Sequence, residues 1–142
     1  MQHADCIFCK IVKGEIPCAK IYENEHVLAF LDIAPTIPGH ALIIPKAHYA
    51  TLFELPDALG GPLLAAEKRV GAAIMAATKA AGLNVQMNNH EAAGQVVFHA
   101  HLHLIPRHVG DGLALWPGQS YPDMAAMSSL AEAIRQALGS QQ

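Results

Sequence analysis

Three histidines alternate with apolar residues in Phe98-His99-Ala100-His101-Leu102-His103-Leu104-Ile105-Pro106-Arg107. In an extended chain successive side chains point to opposite faces, so this spacing puts three imidazoles on one side and Ala100, Leu102 and Leu104 on the other. A strand built only for packing would carry Val or Ile on both faces, because imidazole nitrogens need partners once they leave water. A solvated strand face is the plainest reading, and three rare side chains in strict alternation weigh against it. A single metal held by all three is a second. Residues 99 and 103 of a straight strand lie about 13 Å apart at about 3.3 Å per residue, too far to share one ion at about 2 Å. Divided labour fits better: one ring attacks or transfers a proton, one binds an anion, and one does something else.

A second cluster of reactive types is Cys6-Ile7-Phe8-Cys9. This spacing suits half of a tetrahedral thiolate site, a redox pair, or two buried thiols. No second Cys-x-x-Cys follows, so a zinc ion would draw its other two ligands from distant histidines, of which the chain has nine. That need is what singles out His48, which otherwise reads as a surface residue of the loop after Lys46. Cys18 reads as a small buried hydrophobe. Asp32, at the end of an apolar run, either caps a turn or offers a carboxylate to hydroxyls such as those of a ribose. Gly94 allows a turn whose N–H groups would meet phosphate oxygens, and Asn88 lies near the same end.

The elements that must position these groups follow from periodicity. Residues 10–17 suit a short helix stopping at Gly14, and Pro17 leads into extended chain. Residues 20–23 and 27–32 read as a hairpin around Asn24-Glu25-His26, and 40–45 as a third strand that Pro45 ends or places at an edge. Pro56 and Asp57 signal a helix whose regular part runs from Pro62 to Ala81 and stops at Gly82, with Leu63, Val70, Ile74 and Ala77 as its buried stripe. Its alanines would let a sheet, or a second subunit, approach closely. Residues 83–89 alternate as a fourth strand, and the histidine run makes a fifth. A Gly- and Pro-rich loop around Trp116 leads to a terminal helix from Asp123 or Ser128 to Leu138, docked by Leu130, Ile134 and Leu138, with residues 140–142 fraying.

Composition bounds the rest. With 142 residues, 52% hydrophobic and 15% charged, the chain can bury one sizeable core as a single domain, residues 1–142, without disulfide staples. A net charge of −3 supplies no general basic field for nucleic acid or anionic lipid, so an anionic ligand must be met by a local site. No apolar run reaches about 18 residues, the start Met1-Gln2-His3-Ala4-Asp5 lacks a leader pattern, and three cysteines do not pair evenly. A cytoplasmic, reducing setting is expected.

Taken together, these residues resemble the histidine triad superfamily, and within it the HINT-like branch of bacterial nucleotide-binding proteins. The likeness rests on His99-Ala100-His101-Leu102-His103-Leu104-Ile105, with Cys6-Ile7-Phe8-Cys9, Phe30-Leu31-Asp32-Ile33, Pro38-Gly39-His40, Ile44-Pro45-Lys46, His48, Asn88 and Gly94-Gln95 in matching order. It covers residues 5 to about 108. It implies an α+β fold: an antiparallel β-sheet with one long helix and a C-terminal helix, paired through the long helix and a neighbouring strand into a homodimer. It implies that His101 attacks the α-phosphorus of a nucleoside phosphoramidate or similar conjugate, giving a nucleotidyl-histidine that water then cleaves. His103 would act beside it on phosphate, Asp32 would hold the ribose, and Ile7, Phe8, Phe30 and Ile33 would enclose a purine such as that of AMP or GMP. Asn88, Gly94, Gln95 and Val97 would complete the nucleotide site. Cys6, Cys9, His48 and His99 match the ligands of zinc-bearing members, which makes the Zn2+ structural. Val96 stands where animal members carry a serine, and it offers no donor to a leaving group. Slow turnover, or a nucleotide-binding scaffold with vestigial catalysis, is the alternative, as is hydrolysis of dinucleoside polyphosphates.

Overall fold

Val27, Ala29, Ala41 and Ile43 alternate with Leu28, Phe30, Leu42 and Ile44, and both sets are buried. Two adjacent strands that read as continuous apolar runs must be covered on both faces, and the architecture follows from that. The structure, a computed structural model, describes residues 3–140. It divides into two compact units, Met1–Asp111 and Gly112–Gln142.

The first unit is an α+β arrangement around a five-stranded antiparallel sheet. Its strands are β1 (Lys20–Glu23), β2 (Val27–Leu31), β3 (Ala41–Pro45), β4 (Gly82–Gln86) and β5 (Leu102–Arg107), in the order β1-β2-β3-β5-β4. The β1–β2 turn is closed by Asn24, whose Oδ1 accepts the N–H groups of His26 at 2.8 Å and Val27 at 2.9 Å, a side chain standing in for a backbone turn. Pro45 ends β3, which lies centrally between β2 and β5.

Helix α2 (Gly60–Thr78) covers one face of the sheet. Leu63, Ala66, Val70 and Ile74 pack there on Val27, Ala29, Ala41, Ile43 and Leu104. Helix α1 (Ile7–Val12) serves the other face, where Phe8 joins Leu28, Phe30, Leu42 and Ile44. Because side chains alternate, β5 turns Leu102 and Leu104 towards α2 and leaves the histidine register for the α1 side.

Several boundaries differ from the sequence expectation. Helix α1 starts three residues early, because Cys6 acts as its N-cap by accepting the Cys9 N–H on sulfur; the Cys-x-x-Cys pair therefore lies on the helix and not before it. Helix α2 stops at Thr78, with Lys79 left-handed at φ 57°, because Ala81 N–H already donates to Arg107 O and Gly82 is paired in β4. Ala77 is exposed, and Ala66 and Gly71 take its place in the buried stripe. Strand β5 begins only at Leu102, since Ala100 N–H is drawn out of the ladder to Tyr49 O at 2.6 Å.

In the second unit, α3 (Met124–Gly139) is capped by Asp123, whose Oδ1 accepts the Ala126 N–H at 2.7 Å. Leu130, Ile134 and Leu138 recur four apart along this helix, as the sequence expects. Ser140 closes the helix as its C-cap, and the expected fraying at residues 141 and 142 lies outside the described residues. Among the described residues no helix is long and apolar enough to cross a membrane.

Candidate active site and metal cluster

The three histidines fall on one side and take three different surroundings. His101, only 7% exposed, stands at the head of β5. Its Nδ1–H donates to the carbonyl oxygen of His99 at 2.7 Å. That bond fixes the tautomer and leaves the Nε2 lone pair free, the state a nitrogen nucleophile needs. Burial lowers its pKa below the ordinary histidine value, against opposing pulls from the His99 carbonyl and Asp32, so the uncharged ring is favoured.

His103 is tied to His40, which the sequence placed at the start of a strand and in the Pro38-Gly39-His40 motif of the resemblance without giving it a role. The Thr36 N–H donates to His40 Nδ1 at 3.0 Å, and a backbone amide is always a donor. His40 must therefore carry its proton on Nε2, which lies 2.9 Å from His103 Nδ1 and donates to it. His103 is in turn left with its proton on Nε2. Burial, reinforced by the His101 and His40 rings, pushes His103 down to about 4, so it is a neutral donor at pH 7. His40 is also lowered by burial. Gly39 makes this possible: at φ +99° it closes a turn in which His40 N–H returns to Ile37 O at 3.0 Å, aiming His40 at the site.

Asp32 follows β2 directly. Its Oδ1 accepts the Ala34 N–H at 2.9 Å and its Oδ2 lies 3.7 Å from His40 Nε2, so it both caps a turn and keeps acceptor capacity facing the cavity. Asp32, His40 and His103 lie close enough to surround an ion, but the protonated Nε2 of His40 has no lone pair to give. The hydrogen-bond chain runs instead from Thr36 N–H through His40 to His103, with the Asp32 carboxylate beside it.

These groups open into a cavity of about 990 Å³, the upper end of the range for small-molecule sites. Ile7 and Phe8 of α1, Phe30, Ile33, Leu42 and Cys18 line an apolar end; Asp32, Asn88, His101 and His103 bring the polar side chains. Gly94 and Val97 also line it. Gln95 does not. It is 3% exposed, with its Oε1 accepting from His90 N–H at 2.8 Å and its Nε2 donating to Ala50 O at 2.6 Å and Val97 O at 3.1 Å, so it pins the loop from within. The N–H of Gly94 is likewise spent, on Glu91 O at 2.9 Å. Val96 and Val97 follow on the cavity wall.

The remaining histidine, His99, packs on the same Phe8 ring but belongs to a separate cluster. Its Nε2–H donates to Pro45 O at 2.8 Å, which turns the Nδ1 lone pair towards two thiols. Cys6 Sγ lies 3.3 Å and Cys9 Sγ 3.6 Å from that Nδ1, and Cys9 Sγ lies 3.5 Å from His48 Nδ1. All four ligand atoms fall within 4.8 Å of one another. A tetrahedral zinc with sulfur at about 2.3 Å and nitrogen at about 2.0 Å has S···N edges of about 3.5 Å. The three S···N separations of 3.3, 3.5 and 3.6 Å match those edges, so the donor set fits such an ion. Burial raises the Cys6 thiol above its usual value, the opposite of what a reactive redox cysteine shows.

Sequence reading passed over the role of His40 and the cavity contribution of Cys18. A histidine straight after Pro38-Gly39 was the signal for the first, since a Pro-Gly turn aims the next side chain sharply. Nothing local marked the second.

Comparison with known proteins places this constellation. The HIT domain family model matches residues 13–110. The chain is 50% identical over 123 residues to the adenosine 5'-monophosphoramidase hnt1 of Schizosaccharomyces pombe, covering 82% of this chain and 85% of that protein. A crystal structure from Streptococcus mutans superposes with a TM-score of 0.91 at 45% identity, over 96% of this chain and 87% of that one. A zinc-bound histidine triad protein from Mycobacterium smegmatis does so with a TM-score of 0.74 at 38% identity, over 91% and 97%. On the family match, on identity over most of its length, and on the three differently employed histidines leading into and along β5, the chain belongs to the HIT domain family.

Proposed function

We propose that this protein is a hydrolase of nucleotide conjugates that binds a purine nucleoside monophosphate moiety and cleaves at its α-phosphate through His101. The observation that carries this is the ring of His101: buried, uncharged, and held by the His99 carbonyl with Nε2 open to the cavity. The relatedness to an adenosine 5'-monophosphoramidase supports it. In the first step Nε2 attacks phosphorus, a P–N or P–O bond to the leaving group breaks, and the leaving group departs with the electron pair and takes a proton from solvent water. Water then attacks the same phosphorus, the Nε2–P bond breaks, and the monophosphate leaves. Splitting one displacement into two lowers each barrier.

His103 offers its Nε2–H to a phosphoryl oxygen; a donor placed before the charge develops needs no reorganisation. Asp32 accepts from the ribose hydroxyls. The base end presents apolar side chains and one thiol, which favours a flat ring and discriminates weakly between adenine and guanine. Cys6, Cys9, His48 and His99 would hold a structural zinc ion. Bound by four protein ligands it has no open position, and its contribution is to join the N-terminal helix to the histidine segment. Free thiols in that cluster fit a reducing, cytoplasmic setting. Pairing of two chains is supported by the open edge of β4 and by the exposed Leu64, Ala65, Ala72 and Ala76 of α2.

The test is hydrolysis of adenosine 5'-phosphoramidate by the wild type and His101→Ala. The wild type should release AMP, and pass through an adenylylated protein seen by mass spectrometry; the variant should bind AMP and do neither. Val96, 83% exposed at the cavity and without a donor, favours a second reading as a slow binder. Wild-type turnover no faster than that of His101→Ala would select it.

A further inference from the structure

Helix α1 is six residues long and works on two sides. Cys6 and Cys9 face His48 and His99, while Ile7, Phe8 and Ile11 form a wall of the cavity. The Phe8 ring stands edge-on to three others, with centroids 5.7 Å from Phe30, 5.8 Å from His99 and 5.2 Å from His101. It thus touches one candidate metal ligand and the candidate nucleophile together. The chain backbone repeats the connection, because the carbonyl of His99 is the group that holds the His101 ring at 2.7 Å.

So short a helix has little stability of its own. Its cavity face is kept in place by the burial of Phe8 and Ile11 from one side and by the four-group cluster from the other. Losing the ligand bonds would leave thiol–imidazole contacts of 3.3–3.6 Å, too weak to fix both the helix and the His99 backbone.

We propose that metal ligation by Cys6, Cys9, His48 and His99 sets the nucleotide affinity of the cavity, making nucleotide binding responsive to metal supply. This rests on the reading of the cavity as a nucleotide site and of the cluster as a zinc site. Linkage then requires the converse: bound nucleotide tightens the metal by the same factor. The coupling acts through position alone, since the metal touches neither the substrate nor the reacting atoms. A factor of about ten lies within the usual span of such couplings.

The experiment uses the full chain with three readouts: zinc per chain by elemental analysis, AMP dissociation constant by titration calorimetry, and melting temperature. Stripping zinc with a chelator should weaken AMP binding about tenfold or more, and adding zinc back should restore it. Saturating AMP should tighten zinc by the same factor in competition with a chromophoric chelator. One zinc per chain that raises the melting temperature but leaves AMP affinity within about twofold would overturn the proposal, giving the metal a purely stabilising role. AMP binding with no zinc bound would overturn it through the metal reading alone, and zinc with no AMP binding through the nucleotide reading alone. If the stripped protein unfolds, Cys6→Ser serves instead, since serine keeps the helix cap while weakening one ligand. Its AMP affinity should rise with added zinc over a range where the wild type is already saturated, and a flat response would refute the coupling.

Discussion

His40 is the position where two substitutions separate two hydrogen bonds. Its Nδ1 accepts from Thr36 N–H at 3.0 Å and its Nε2–H donates to His103 Nδ1 at 2.9 Å. An asparagine oxygen sits near the place of Nδ1, and a glutamine amide near that of Nε2. His40→Asn therefore keeps the turn and releases His103; His40→Gln keeps His103 and releases the turn. A buried group deprived of its partner costs about 1–3 kcal/mol. For His40→Asn that loss falls on the alignment of His103 with the phosphate. At about 1.4 kcal/mol per factor of ten it lowers kcat/KM by roughly 5- to 150-fold. For His40→Gln the same energy falls on folding, and activity stays within a few-fold. The assays are steady-state hydrolysis of adenosine 5'-phosphoramidate and urea denaturation of each variant. Equal kcat/KM in His40→Asn and the wild type, or an activity loss in His40→Gln matching that of His40→Asn, would refute the proton assignment along this chain.

Three further outcomes follow from the same geometry. His103 titrates at about 4 in the fold against 6.5 for the ordinary side chain, so the unfolded chain binds the proton first; its contribution is complete above pH 6.5 and is lost as pH falls towards 4. At pH 5 this amounts to up to about 2 kcal/mol, and the drop in urea midpoint between pH 7.5 and pH 5 should be smaller in His103→Gln than in the wild type. Gly39→Ala places a Cβ 2.8 Å from Thr78 Cγ2 and 3.1 Å from Pro106 Cγ at a φ of +99°. Strain and overpacking each cost about 1–3 kcal/mol, so thermal unfolding should show a loss above about 2 kcal/mol; an unchanged melting temperature would contradict the turn as described. On the proposed pairing through α2, Ala72→Glu on its exposed face should shift the wild-type dimer to monomers in sedimentation velocity; a monomeric wild type, or a variant sedimenting like a dimeric wild type, would refute that pairing.

The strand set, the long helix and the terminal helix were legible in the sequence because each carries a local period, as in Val27 to Leu31 or Leu63 to Ile74. Where pattern reading missed, a longer-range bond had overruled it: Ala81 to Arg107 shortened α2, and Ala100 to Tyr49 delayed β5.

The sequence by itself determined that three imidazoles recur at every second position and that two thiols stand three residues apart, a spacing suited to a shared metal, because both are matters of a few residues; that the thiols sit on a helix is a finding of the structure. Only the tertiary structure decided what each group does. His99 is turned to the cysteines by Pro45, 54 residues away in sequence; His103 is set by His40, 63 residues away; and Gln95 is withdrawn from the cavity by Ala50, 45 residues away. A tautomer or a ligand direction depends on which donor or acceptor arrives from elsewhere in the chain, and no local spacing carries that information.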